Sequence, residues 1–280
     1  MPDFSLIVAT KDRTEELARL FATLKEQSYR DFEVVLVDQN LDDRLAPIVE
    51  TWQSHFEIQH LRSEPGLSRA RNKGLTVARG ELIAFPDDDC WYPSDTLHKV
   101  KIWFASHPEY DFLSGCARTE ELRPTSNRWM PASCEIKPRN VLRTGISFTL
   151  FFRAHALRAV HGFDESLGLG AGTRFGSGEE SDCVFRLLAA GSRGWFAQEL
   201  TIYHPDKTQD FSESARSRAR SYGIGLGHLL RKHKLPLTYS LYTCARPAGG
   251  WLLALARRSP GAALYWATLK GRLEGYLREK

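Results

Sequence analysis

Over roughly the first 115 residues, short apolar runs take turns with stretches of helical period. FSLIVA (Phe4–Ala9), FEVVLV (Phe32–Val37) and ELIAF (Glu81–Phe85) read as buried strands, and FEIQHL (Phe56–Leu61) as a weaker one because its alternation is partial. Between them, Thr14–Gln27 repeats apolar residues at Leu17, Leu20, Phe21 and Leu24, and Leu45–Trp52 and Leu67–Ala78 continue the helical pattern. Strands separated by helices of about 10–15 residues predict an α/β fold with a mostly parallel sheet wrapped by helices. Ligands of such sheets bind beyond the carboxyl ends of the strands. Polar residues gather at those ends here: Thr10, Asp12 and Arg13 after the first strand, Asp38 and Asn40 after the second, and Asp87, Asp88 and Asp89 after the fourth.

Past this alternation the pattern weakens. Residues 118–144 carry Pro124, Pro131 and Pro138 with little periodicity and read as an irregular loop region lying over a site. Phe148–Phe152 is a further strand, and the glycine-rich LGLGAGTRFGSG leads into a helix at about Glu179–Ala190. A basic helix near Arg216–Lys232 is interrupted by Pro236, and helical stretches follow around Trp251–Arg257 and Ala262–Leu277. No internal repeat or low-complexity tract stands out.

Composition changes this picture in two places. The 280 residues carry a net charge of +4, but residues 212–280 hold 13 Lys and Arg against 3 Asp and Glu, so the remainder is acidic. An acidic body with a basic tail suits a tail that faces an anionic surface. The five cysteines (Cys90, Cys116, Cys134, Cys183 and Cys244) are odd in number and lack C-x-x-C spacing, which argues against a disulfide framework or a zinc site. The first residues, MPDFSLIVATKDR, do not resemble a signal peptide, and no run of about 18 apolar residues is present, so a cytoplasmic location is expected.

The acidic triplet carries the most chemistry. Three adjacent carboxylates after a buried strand repel one another unless a cation is close, and hard divalent ions such as Mg²⁺ or Mn²⁺ take carboxylate oxygens with phosphates completing the shell. In an extended segment Asp87 and Asp89 would point the same way and share one ion, with Asp88 turned elsewhere. The competing reading is an acidic turn that caps the next helix, a role Ser94 or Asp95 suits better.

Three blocks, VATKDRTEEL (8–17), FEVVLVDQN (32–40) and GLSRARNKGLTVARGELIAFPDDDCWYP (66–93), resemble family-2 glycosyltransferases in order and spacing, and GFDE…GEESDCVFRLLAAG (162–191) resembles that family's acceptor-side helix. The resemblance implies a GT-A fold, a Rossmann-like nucleotide-binding domain, over residues 1–211. Residues 1–115 would be the nucleotide-sugar-binding half and 116–211 the acceptor half, with 212–280 a basic, amphipathic helical region. It implies an inverting transfer of a sugar from a nucleoside diphosphate sugar to a hydroxyl acceptor, and fold-level analogy adds the expectation of polysaccharide or lipid-linked glycan synthesis. Carried over by position, Asp38 contacts the base or ribose, Thr10 and Arg13 line the same pocket, and Arg71 lies near the nucleotide. Asp87 and Asp89 match the outer carboxylates of the D-x-D motif that holds Mg²⁺ or Mn²⁺ against the diphosphate, with Asp88 in the same donor site. His204 matches a histidine many such enzymes supply to the metal or diphosphate. Cys90 and Pro86 depart from the commoner aspartate and leucine at those places, and neither removes a ligand.

A second carboxylate cluster, Glu179, Glu180 and Asp182, opens the helix after GSG. Displacement at a sugar carbon needs a base for the acceptor proton, a task a carboxylate in a partly dry cleft can perform. The family places that base on an aspartate where this chain has Glu180, so the order of candidates is Glu180, Asp182, Glu179. Against this stands a capping box, Ser177-x-x-Glu180, and the ordinary preference of acidic residues for a helix's first turn. Lys207 is a further phosphate contact to consider, and Trp91 a ring for a sugar or a packing residue. GAGTR (170–174) resembles the loop of sugar nucleotidyltransferases but lies far from the first strand and reads as an acceptor loop.

In the tail, Arg216, Arg218, Arg220, Arg231, Lys232 and Lys234 precede a segment mixing Trp251, Tyr265 and Trp266 with Arg246, Arg257, Arg258, Lys270 and Arg272. That mixture predicts peripheral contact with an anionic membrane face, against a bland alternative of a soluble helical cap. No nucleic-acid motif accompanies the charge, so nucleic acid is not an expected partner. The rival readings are a sugar nucleotidyltransferase and a non-catalytic carbohydrate-binding scaffold at the membrane surface.

Overall fold

The computed structural model describes residues 1–125, 128–206 and 210–278. They divide into two compact units: one of Met1–Pro65, Arg69–Phe163 and Cys183–Asp206, the other of Gly66–Ser68, Asp164–Asp182 and Lys207–Lys280.

The first unit begins with β1 (Phe4–Thr10), α1 (Glu15–Lys25), β2 (Phe32–Asp38), α2 (Ala46–Trp52), β3 (Glu57–Arg62), α3 (Leu67–Val77) and β4 (Leu82–Ala84). It continues through α4 (Thr96–Ser106), β5 (Phe112–Arg118), β6 (Cys134–Ile136), β7 (Leu150–Arg153), α5 (Ala154–Ala159), α6 (Glu179–Ala189) and β8 (Gly194–Tyr203). Helices α3 and α6 cross the unit boundary, since Leu67–Ser68 and Glu179–Asp182 are counted with the other unit. The strands form one sheet in the order β3-β2-β1-β4-β7-β5-β8-β6. Strands β3, β2, β1, β4, β5 and β8 run one way, while β7 and β6 run against their neighbours. The expected α/β architecture with a mostly parallel sheet is therefore present.

Both faces of the central strands are covered, which is why β1 and β2 read as apolar runs, interrupted by Ser5 and Glu33, instead of alternating ones. On one face Phe4, Leu6, Val8, Val34 and Leu36 meet Leu17, Leu20, Phe21 and Leu24, the i, i+3, i+4, i+7 stripe of α1. On the other, α3 comes so close at Gly74 that any Cβ there would run into Ile7.

Several elements depart from the sequence expectation. The stretch 118–144 is not wholly irregular, because Cys134–Ile136 forms β6 on the edge of β8. Strands β5 and β8 lacked a clean pattern: β5 reads FLSGCAR, and its register with β8 shifts between Ser114 and Cys116. Gly115 sits at that irregularity because the Leu200 carbonyl occupies the place of a side chain.

The second unit contains α7 (Glu213–Lys232), α8 (Leu237–Ala256) and α9 (Ala262–Leu277). Gly223 and Gly227 of α7 face Gly271 and Gly275 of α9 so closely that a Cβ on any of them would strike the opposite backbone. The glycines weaken each helix locally but let the two axes approach, and packing offsets the loss. Helix α8 starts well before the expected Trp251 and runs through Pro247, whose side chain lies on the buried face. Proline and the Gly249-Gly250 pair resemble a break when read locally, yet the buried stripe Ser240, Thr243, Cys244, Pro247 and Ala254 keeps one face inward throughout.

Candidate active site

Thr10 closes β1, Asp38 closes β2, Arg62 closes β3, the triplet follows β4, and His204 follows β8. These strands are co-directional, so all of these residues emerge at the carboxyl edge of one sheet.

Asp87–Cys90 is a tight turn closed by the Cys90 N–H donating to the Asp87 carbonyl at 3.1 Å. The extended geometry assumed for Asp87 and Asp89 is thus corrected: the turn sends the side chains to different partners. Arg71 donates to Asp87 Oδ1 at 3.2 Å. Its guanidinium is buried, 5.9 Å from the centre of the Phe85 ring and 5.5 Å from that of Phe163. Arg13 Nη1 lies 2.5 Å from Asp88 Oδ1 and 2.9 Å from Asp89 Oδ2. The Thr10 hydroxyl donates to Asp88 Oδ2 at 2.7 Å. Asp88 is thereby an inward-facing anchor for Thr10 and Arg13. Burial pushes its carboxyl up to about 6, against the lowering effect of Arg13 and Thr10 and with help from Asp87 and Asp89. The triplet does not cap α4, where Asp95 takes the N-cap position and pairs with Lys99.

His204 is brought to the triplet by a backbone bridge. Trp91 and Tyr203 exchange N–H···O bonds of 3.0 Å each, which ties the end of β8 to the segment after Asp89. His204 stacks on Phe148 with centroids 4.9 Å apart, and its Nδ1 lies 2.7 Å from the Pro205 carbonyl. A carbonyl only accepts, so Nδ1 carries a proton and Nε2 is the nitrogen turned to Asp89 Oδ1 at 3.4 Å.

Asp38 is fully buried. Its carboxylate accepts from the Asn40 backbone and side chain at 2.8 Å each, and meets His60 Nε2 at 3.1 Å and Arg62 Nη1 at 3.0 Å. Asn40 in turn accepts from the Asp12 N–H at 2.7 Å, with Asp12 in the left-handed region at φ 59°. His60 and Arg62 escaped the sequence reading, since the weak third strand offered no chemical pattern. Their signal was position: each lies near the end of a strand parallel to β2.

Trp91 is a packing residue, with the Arg19 guanidinium 3.5 Å from its ring centre and Tyr203 beside it. Lys207 lies outside the described residues. Within the second unit, Asp182 is fully buried, its Oδ1 2.7 Å from Lys232 Nζ and 2.8 Å from His233 Nε2. Lys232 also pairs with Asp164 at 2.6 Å, so it bridges two carboxylates. Glu179 is buried against Gly168, whereas Glu180 is partly exposed. The Ser177 hydroxyl donates to the Tyr222 carbonyl at 3.0 Å. The 170–174 stretch lies in a turn closed by the Gly168 N–H and the Phe175 carbonyl at 2.9 Å.

The family model described as Glycosyl transferase family 2 matches residues 5–160. This chain belongs to that family. It is a glycosyltransferase, and the expected GT-A fold holds. EpsE of Bacillus subtilis (strain 168), named as a glycosyltransferase, is 26% identical over 86% of this chain and 86% of its own length. The PGL/p-HBAD biosynthesis glycosyltransferase Rv2957 of Mycobacterium tuberculosis is 30% identical over 46% of this chain and half, 50%, of that protein. Among solved structures, S. aureus TarS 1–349 in complex with UDP-GlcNAc aligns with a TM-score of 0.64 and 18% identity, covering 99% of this glycosyltransferase and 93% of that chain. The mannosyltransferase PcManGT from Pyrobaculum calidifontis, in complex with GDP-Man and Mn²⁺, aligns with a TM-score of 0.66 and 17% identity, covering 100% and 88%.

Proposed function

We propose that the enzyme moves a sugar from a nucleoside diphosphate sugar to a hydroxyl acceptor by direct, inverting displacement. The acceptor is a growing polysaccharide or lipid-linked glycan at the cytoplasmic face of a membrane. The observation that carries the donor side is the Arg13–Asp88–Asp89–His204 cluster at the carboxyl edge of β1, β4 and β8.

Among the described residues no group of three or more His, Cys, Asp or Glu stands ready to enclose a metal. Hard divalent ions seldom need one, since one or two protein ligands and substrate phosphates complete the shell. The Asp89 oxygen and the His204 nitrogen, 3.4 Å apart, fit Mg²⁺ or Mn²⁺ in that mode, with Asp87 of the same turn as the further ligand of the proposal. A bound ion would neutralise charge on the departing diphosphate. Arg13 and Arg71 add fixed positive charge at the same edge, held in place by Asp88 and Asp87. Asp38 and Thr10 form the nucleoside side of the proposal. For the base we favour Glu180. A base must be reached by the acceptor hydroxyl, and Asp182 and Glu179 are buried, with Asp182 already engaged by Lys232 and His233. The donors bound by the TarS and PcManGT structures support the donor class proposed for this enzyme.

Calorimetric titration of nucleoside diphosphates, with and without Mn²⁺, into the wild type and Asp89→Asn tests this reading. One diphosphate should bind with dependence on both the ion and Asp89. Equal binding with and without the ion would leave the cluster a structural feature.

A further inference from the structure

We propose that the outward face of α8 is the surface by which this protein lies on an anionic lipid bilayer, which gives the membrane contact of the proposed function a location. The structure moves that contact away from the basic helix α7, whose charges are largely engaged within the unit. Arg218 pairs with Asp210, Arg220 with Glu274, and Lys232 with Asp164 and Asp182, while Arg231 donates to the Tyr276 and Leu277 carbonyls. Trp251 is turned toward Trp266, with ring centres 4.9 Å apart, and is partly buried.

Helix α8 differs. Opposite its buried stripe it exposes Leu237, Leu241, Tyr242, Leu252, Leu253 and Leu255, each between 49% and 64% accessible. In a helix of 20 residues Arg246 is the one charged side chain, so the outward face is apolar where a solvated helix would be polar. Positive charge frames this face along the chain: Lys234 precedes the helix, and Arg257 and Arg258 follow it, all exposed. An apolar stripe framed by cations matches the boundary between acyl chains and anionic headgroups. Crossing the bilayer is not implied, since no helix among the described residues is long and apolar enough. A second copy docked through the same face would bring like charges together, in a segment with 13 basic and 3 acidic residues. The charge therefore favours lipid over self-association.

Co-sedimentation of the full chain with phosphatidylcholine vesicles, with and without phosphatidylglycerol, tests the proposal. The wild type should bind the anionic vesicles at least about tenfold more tightly than the neutral ones. Leu241→Ser/Leu252→Ser/Leu253→Ser should weaken that binding at least about tenfold, with Arg257→Glu/Arg258→Glu giving a loss of similar order. All these side chains are exposed, so circular dichroism and nucleotide binding should stay at wild-type level. Undiminished vesicle binding by the leucine variant would overturn the assignment to α8 while sparing the membrane reading. No vesicle binding by the wild type would overturn both, and a wild-type dimer that the leucine variant abolishes would assign the face to a second copy. None of these outcomes depends on the donor chemistry, which the diphosphate titration addresses separately.

Discussion

The two ends of the same sheet each bury a carboxylate, and they treat it in opposite ways. At the amino end, Glu33 of β2 is fully enclosed and accepts from the Ser5 hydroxyl at 2.6 Å, Gln59 Nε2 at 2.7 Å, and the Arg79 backbone and Nε at 2.8 Å each. Burial alone would raise its pKa, yet the bonds from Ser5, Arg79 and Gln59 outweigh burial and hold the carboxyl below its ordinary value. At the carboxyl end, Asp88 has Thr10 and Arg13 but also two like charges, and burial wins, lifting it to about 6. Both carboxylates have a donor on each oxygen, but Glu33 gathers Ser5, Gln59 and two groups of Arg79, and so holds the α3–β4 connection against β1, β2 and β3. Asp88 has two donors set against the like charges of Asp87 and Asp89, and a carboxylate under-compensated in this way is a common feature of functional sites.

The contrast can be broken experimentally. Glu33→Ala should cause the largest effect, a stability loss of about 3 kcal/mol in urea unfolding, because Ser5, Gln59 and Arg79 lose their common acceptor. Turnover per folded molecule should not change. Asp88→Asn should do the reverse. Its melting temperature should match or exceed that of the wild type, since the buried charge is removed, while kcat falls about a hundredfold as Arg13 loses a partner. A collapse in stability comparable to that of Glu33→Ala would erase the distinction between the two ends. The smallest effect sharpens the comparison through pH. The folded pKa of Glu33 lies below its ordinary value of 4.5, so its contribution is complete above that value and declines as pH falls through the lower, folded one. The stability advantage of the wild type over Glu33→Gln should therefore be constant from neutral pH down to about 5 and shrink below it. An advantage that persists at acid pH would show that shape, not charge, carries the clamp.

Much of the fold was legible because its signals are local. Leu17, Leu20, Phe21 and Leu24 repeat within one helix, and FSLIVA and FEVVLV are apolar apart from Ser5 and Glu33. The acidic triplet was placed correctly after β4 from sequence order alone. Elements whose logic lies in a distant neighbour were missed. Gly115 in β5 answers to the Leu200 carbonyl, and Pro247 in α8 is tolerated because that face packs inward.

The candidate site divides along the same line. The sequence by itself determined which chemical groups are present and that they lie beyond strand ends, since both follow from residue type and short-range periodicity. Only the tertiary structure decided their partners. Thr10 meets Asp88 across 78 residues of chain and Arg13 meets it across 75, while Arg79 reaches Glu33 across 46. It likewise turned Asp87 toward Arg71 and Asp89 toward Arg13 and His204, and it committed Asp182 to Lys232 and His233. Periodicity records which face a side chain occupies, but a carboxylate's role depends on the charges around it in space, and those are assembled by strand order and loop closure.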